Sequence, residues 1–333
     1  MIVWLCIAVV LSFAGEALPA TAQDCGGCHP GQYQQWRTSR HSKSATNAIF
    51  RTSWERRPDG WCLSCHAPRP EQQVDLLGHL ARPGIPQRVL EDPPGQAWKD
   101  GVDCLACHRD GDRLRTATPP SATAQAMHPI AQDPTFGTEL ACSGCHEFAF
   151  QNHTPALPFT QGPNLTQSTV TEWRTSRAFQ RGQVCQDCHM GEHGHGMPGG
   201  HSPAFVRAAL SVQATRQGSD LRVQITPTSV GHAVPTGDPF RRLELHMCVD
   251  SACAEPRIAQ LAHRSVRRTD TTWTIHRDDR VPVDEALVWA VPIETAQEWR
   301  LVYRYGERTL EAGLAPFDVG YAVASGLIPT ETP

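Results

Sequence analysis

Two hydrophobic rhythms divide the 333-residue chain. From about residue 208, apolar and polar side chains alternate at period two in Leu210-Val212-Ala214, Leu221-Val223-Ile225, Leu243-Leu245-Met247, Ala286-Val288-Ala290 and Trp299-Leu301-Tyr303. Alternation of this kind buries one face of a β-strand. Gly218-Ser219-Asp220 supplies a turn between the first two, which makes them a hairpin. Strands at this spacing over about a hundred residues predict an antiparallel sandwich. Before residue 208 the apolar pattern is helical and short-lived. It predicts helices over 31–48, 168–182 and 202–210, separated by Pro and Gly breaks, with loops over 83–94 and 116–120. The implied organisation is a leader over 1–22, a mainly helical and irregular domain over 23–205, an all-β sandwich-like domain over 206–315, and a C-terminal tail over 316–333.

The leader reads as a signal peptide. An apolar run over 2–14 is followed by Pro19 and by Ala20-Thr21-Ala22, an A-x-A cleavage pattern. The run is too short to span a bilayer, and its n-region carries no Lys or Arg. The most apolar later stretch, 319–328, is short and broken by Gly320 and Gly326. The expectation is an exported protein, periplasmic or extracellular, without a transmembrane anchor. A formal net charge of only -4 gives no basic field for nucleic acid.

Cysteine changes the picture most. Of 13 cysteines, Cys6 leaves with the leader and ten form five C-x-x-C pairs. Each pair is followed at once by histidine: Cys25-Cys28-His29, Cys62-Cys65-His66, Cys104-Cys107-His108, Cys142-Cys145-His146 and Cys185-Cys188-His189. C-x-x-C-H is the c-type haem attachment sequence. Two thiols three positions apart reach the two vinyl groups of one porphyrin, and the adjacent imidazole becomes the proximal iron ligand. Zinc ribbons and redox dithiols have no need of a histidine after every pair. The expected cofactors are five covalent haem c groups. The motifs recur about every forty residues, too few to wrap each porphyrin in its own apolar pocket, so the haems must form much of the core of a haem-packed N-terminal domain. Cys248 and Cys253 remain, either as a disulfide across the turn between them or as two buried free thiols.

Sixteen histidines less the five proximal ones leave enough to fill every sixth iron position. The distal candidates are His41, His128, His195, His201, His232, His79, His153 and His193. His41 follows Trp36-Arg37-Thr38-Ser39-Arg40, where a helix would lay Trp36 against a porphyrin and present His41 to an iron. The pentapeptide recurs as Trp173-Arg174-Thr175-Ser176-Arg177, but Ala178 stands where the histidine would be. His128 sits between Met127 and Pro129 in a loop-like stretch. His193, His195 and His201 crowd a glycine-rich segment whose backbone can approach a flat cofactor. Met127, Met190 and Met197 are further axial candidates. His232 belongs to the loop Gly231-His232-Ala233-Val234-Pro235-Thr236-Gly237. It can cap a haem, Arg241 and Arg242 beyond it can pair with propionates, or the loop can be a tight turn with no haem contact.

The order of these pieces resembles a superfamily of multihaem c-type cytochromes that includes the tetrahaem cytochrome of ammonia oxidisers, octahaem hydroxylamine oxidoreductase and pentahaem nitrite reductase. The residues carrying the resemblance are Trp36-x-x-Ser39-x-His41, Cys62-Leu63-Ser64-Cys65-His66-Ala67-Pro68, Gly101-Val102-Asp103-Cys104, Glu172-Trp173-Arg174-x-Ser176 and Cys185-Gln186-Asp187-Cys188-His189-Met190. The Gly-His-x-x-Pro-Thr-Gly loop and its strands look like a β-domain appended to some members. The resemblance implies closely stacked haem pairs and His41 as a distal ligand. It does not extend to the catalytic signatures. All five motifs end in His rather than Lys, and three of the four tyrosines, Tyr303, Tyr305 and Tyr321 but not Tyr33, lie in the β region. The expected function is electron transfer between redox partner proteins, with mostly bis-His ligation. The alternative is a multihaem oxidoreductase acting on a small nitrogen or sulfur compound at one five-coordinate haem. The β-domain is a candidate contact for an oligomer or filament.

Overall fold

A computed structural model describes residues 18–56, 60–73, 97–148, 165–268, 273–306 and 319–330. Most of the leader therefore lies outside the described residues. In the N-terminal part, each C-x-x-C-H motif occupies a short helix. These helices are α1 (Ala22–Cys28), followed by α2 (Pro30–Thr38) and α3 (Ala48–Arg56), then α4 (Gly60–His66), α5 (Cys104–His108) and, after α6 (Ala122–Met127), α7 (Leu140–His146). Next come α8 (Thr169–Arg174), α9 (Arg177–Gln180), the last motif helix α10 (Cys185–His189), and α11 (Pro203–Ala209). Small strand pairings tie the loops between them. β1 (Arg109–Asp110) and β2 (Arg113–Thr116) are antiparallel, β2 is parallel to β3 (Ile130–Gln132), and β4 (Glu147–Phe148) pairs with β5 (Gln167–Ser168).

The helix expected over 31–48 ends at Thr38 and gives way to turns, and the one expected over 168–182 is cut in two, for one reason. In the first, Thr38 Oγ1 donates to the Gln35 carbonyl, Ser42 Oγ donates to the Arg37 and Ser39 carbonyls, and Ser39 Oγ accepts the Ser42 amide. In the second, Thr175 and Ser176 donate to the Glu172 and Trp173 carbonyls, and Ser176 Oγ accepts the Phe179 amide. Adjacent hydroxyls satisfy the backbone locally and end a helix. Trp36 is buried, and its indole N–H donates to the Val102 carbonyl at 2.8 Å.

Side-chain packing in this part is sparse. Among the described residues it comprises one cluster of Ala45, Trp54, Leu63, Ala67 and Trp98 and another of Val170, Trp173 and Ala178. Gly101 closes the first region. Its φ is +60°, and a Cβ there would meet Ser44 Oγ at 2.4 Å and the His41 carbonyl at 2.6 Å. The Gly101→Ala variant should therefore lose more than about 1 kcal/mol, because alanine meets both a left-handed backbone and backbone atoms that cannot yield. Denaturant unfolding against the parent protein measures it.

The C-terminal part is a two-sheet sandwich. Strands β6 (Leu210–Gln217), β7 (Asp220–Pro227), β8 (Arg242–Cys248), β9 (Arg257–Arg268), β10 (Trp273–Asp278), β11 (Leu287–Pro292), β12 (Glu298–Arg304) and β13 (Gly320–Leu327) form a five-stranded sheet, β10-β9-β8-β12-β13, and a three-stranded sheet, β11-β7-β6. Leu221, Val223 and Ile225 from one sheet meet Leu243, Leu245, Leu301 and Tyr303 from the other in the main core. The hairpin at Gly218 and the inward faces of β7 and β8 match the period-two pattern. The expected inward set on β11 does not: Val288 is 44% exposed, while Trp289 and Val291 are buried. The strand slips by one, because Trp289 gains more from burial than Val288. The expected tail over 316–333 contains β13, which pairs along β12 as an edge strand. Cys248 and Cys253 form a disulfide across the expected turn, with Cα atoms 5.0 Å apart. Val206 of α11 belongs to the same core and Ile49 of α3 packs against it, so the two parts share one packed boundary.

Candidate functional site

Cysteines of different motifs lie close to one another across helices. Cys25 lies beside Cys104, Cys65 beside Cys145, and Cys142 beside Cys185. Cys107 is near enough to Cys142 and Cys145 to act on both electrostatically. The third motif thus adjoins the first and fourth, and the fourth also adjoins the second and fifth. Among the described residues no three His, Cys, Asp or Glu side chains gather as a chelating group.

Four of the five motif histidines face a second histidine at the same separation. Ring centres are 6.3 Å apart for His29 and His128, His146 and His41, His108 and His195, and His189 and His232. A metal bound end-on by two imidazoles at about 2.0–2.1 Å holds the ring centres roughly 6 Å apart. Direct imidazole contact would bring the rings closer.

Outer hydrogen bonds fix the tautomers. Nδ1 of His66 lies 2.8 Å from the Ser44 carbonyl, that of His108 3.0 Å from Arg115 O, that of His189 2.7 Å from Pro198 O and that of His232 3.0 Å from Ala233 O. A carbonyl only accepts, so each Nδ1 carries the proton and Nε2 keeps its lone pair for a metal. Nδ1 of His41 rests 3.1 Å from Met197 Sδ. Burial pushes the His146 ring down to about 3 and also lowers His41, His66, His108, His195 and His232. These imidazoles are neutral at pH 7, the form a metal needs.

Individual elements place the facing rings. His128 caps the end of α6. His195 is held where its amide donates to Gln35 Oε1, and Gly194, at φ +52°, makes room for that side chain. His41 lies in the turn after α2, its carbonyl accepting from Ser44 and Val102. His232 comes from the sandwich, and Gly231 beside it packs on the second Trp-Arg-Thr-Ser copy. A Cβ at Gly231 would sit 3.0 Å from Ala178 Cβ and 3.3 Å from Trp173. The position that holds His41 in the first copy is thus filled by a methyl in the second, and a histidine from another domain arrives beside it.

Other candidates go elsewhere. Phe50 stacks on His66 at 4.0 Å, and no described histidine faces that ring at ligand spacing. His79 and His153 lie outside the described residues. His201 stacks on Tyr305 at 3.8 Å with its Nδ1 buried and without a hydrogen bond, and its pKa falls to about 2 through burial and then the Arg241 charge. His193 stands edge-on to Phe205, and Met127 is half exposed. Arg242 is engaged inside the sandwich with Glu244 and the Gly306 carbonyl, whereas Arg241 is half-buried and contacts the Thr236 carbonyl. Sequence reasoning missed Glu172, Arg264 and Arg280, which join the His232 loop to α8. The only sequence signal was Glu172 before the second Trp-Arg-Thr-Ser-Arg copy, where the first copy has Gln35.

No family model matches the chain, and no curated protein matches it. Among solved structures it is similar to a penta-haem cytochrome c552 from Thermochromatium tepidum, with a TM-score of 0.65 and 20% identity over 92% of this chain and 98% of that one. The chain therefore has the fold of a multihaem c-type cytochrome. Among the described residues no helix is long and apolar enough to cross a membrane.

Proposed function

We propose that the chain is an exported electron relay carrying five covalent haems on its C-x-x-C-H motifs. The observation that carries this reading is the 6.3 Å spacing of four histidine pairs, each pairing a motif histidine with a second ring. A haem bound there supplies a reversible one-electron iron couple. The protein's part is to attach it through two cysteines and to close both axial positions with imidazoles. His128, His41, His195 and His232 would be the distal ligands for the first, fourth, third and fifth motifs. His79 or His153 would serve the second. Closed positions favour electron transfer over substrate binding.

The thiol contacts support a branched order, one–three–four, with the second and fifth motifs both meeting the fourth. Sparse side-chain clusters in this part fit a core filled by the porphyrins. The donor and acceptor would be redox proteins, and the sandwich a candidate surface for oligomer contacts.

One feature favours the alternative of an oxidoreductase acting on a small nitrogen or sulfur compound: His66 has Phe50, not a histidine, against it among the described residues. Mass spectrometry of the purified holoprotein should give five haems, and electron paramagnetic resonance should give low-spin signals only. A spectrum dominated by high-spin iron would refute the relay. A Soret band that shifts with nitrite, hydroxylamine or carbon monoxide would instead support the oxidoreductase.

A further inference from the structure

One buried carboxylate in the helical part gathers donors from both domains. Glu172 on α8 accepts Ser168 Oγ, Arg264 Nη2 and Arg280 Nη2 on Oε1, at 2.7, 3.0 and 2.7 Å. On Oε2 it accepts the Ala233 amide at 3.2 Å and Thr236 Oγ1 at 2.9 Å. Arg280 reaches past the carboxylate to the Pro235 carbonyl at 3.1 Å, and Asp278 braces both arginines. Glu172, Arg264 and Arg280 are all buried. The His232 loop is therefore pinned at residues 233, 235 and 236, immediately after the histidine that faces His189.

We propose that Glu172 is a positioning residue for the fifth iron centre, its carboxylate fixing the 232–236 loop so that His232 stays opposite His189. This rests on the reading of those two rings as one haem's axial pair. The charge matters as much as the shape. All five partners donate, so a glutamine must turn its own N–H groups toward donors on one side whichever way it sits. It also leaves two buried guanidinium groups with less compensation. Outer-shell partners of metal-bound histidines govern ring orientation in this way. The second Trp-Arg-Thr-Ser copy, which has Ala178 and not a ligand, would thus keep a share in its iron centre through the residue just before Trp173.

The test uses reduced and oxidised holoprotein of the parent, H232G and E172Q. Haems are counted by mass, bound carbon monoxide by titration, and spin state by paramagnetic resonance. The expected result is five haems in all three proteins. H232G and E172Q should each bind one more carbon monoxide per chain than the parent and show a new high-spin signal, and imidazole should reverse both changes. The double variant should bind no more than H232G alone. A merely structural role would lower the haem count or resist imidazole. If H232G opens one iron and E172Q opens none, the positioning role is overturned while the ligand reading stands. If H232G itself opens none, the ligand reading falls. Should E172Q fail to fold, T236V removes one pin without touching charge. A partial gain in carbon monoxide binding supports the proposal, and no gain overturns it.

Discussion

Replacing Cys142 and Cys145 together by serine is expected to remove one haem of the proposed five and to break the relay apart. The fourth motif meets the second through Cys65 and Cys145, the fifth through Cys142 and Cys185, and the third through Cys107. Without it, the first and third motifs form one pair, and the second and fifth are stranded. Stopped-flow reduction by a small one-electron donor should then split into separate phases. The matching loss of Cys25 and Cys28 also removes one haem, but it only shortens an end and should leave the remaining four reducing together. Indistinguishable kinetics for the two variants would defeat the branched order.

The second large effect is in the sandwich. Glu244 is fully buried on β8, where its two oxygens accept from Arg242 Nε at 2.7 Å, His246 Nε2 at 2.8 Å and Arg304 Nε at 3.3 Å. Removing one partner of a buried ion pair costs roughly 3–5 kcal/mol, because the other charge stays buried without compensation. Glu244→Ala should lose about that much, a large part of the 5–15 kcal/mol typical of a domain. Urea unfolding followed by far-ultraviolet circular dichroism measures it. A change under about 1 kcal/mol would contradict the accounting. The pH dependence has a definite sign. Burial is outweighed by hydrogen bonds from His246 and Arg242 and by the Arg242 and Arg304 charges, which hold the Glu244 carboxyl well below its usual range. Its contribution is complete above pH 4.5, the ordinary glutamate value. It falls away as pH drops through the lowered folded-state value. The parent should therefore lose stability in acid more steeply than the alanine variant.

Local chemistry was legible in the sequence, and long-range pairing was not. Five C-x-x-C-H motifs can be read at sight because each is a single helical turn. The inward faces of β7 and β8 are equally plain, because alternation is a property of adjacent residues. The breaks at Ser39 and Ser176 were missed, since hydroxyls competing for backbone carbonyls leave no mark in an apolar period. β11 was misplaced by one residue because both alternating sets along it are apolar. Which histidine faces which is set by contacts between residues far apart, such as His41 and His146, and no local pattern encodes that. The gap at Ala178 could not be interpreted from sequence, because Gly231 and the ring of His232 reach that segment only through the folded sandwich.

His232 also bears on the order of assembly. The ring opposite His189 sits in a loop held by Arg264 on β9 and by Arg280 just beyond β10, both far downstream of the fifth motif. Cysteine attachment at the fifth motif requires only the local helix over 185–189, whereas the second ring requires the folded sandwich. During maturation that centre would hold its haem before it has a second ligand, and would acquire one only when the sandwich folds around Arg264 and Arg280. A chain truncated before residue 257, which lacks both arginines, should therefore mature with its full complement of haem and an open fifth iron.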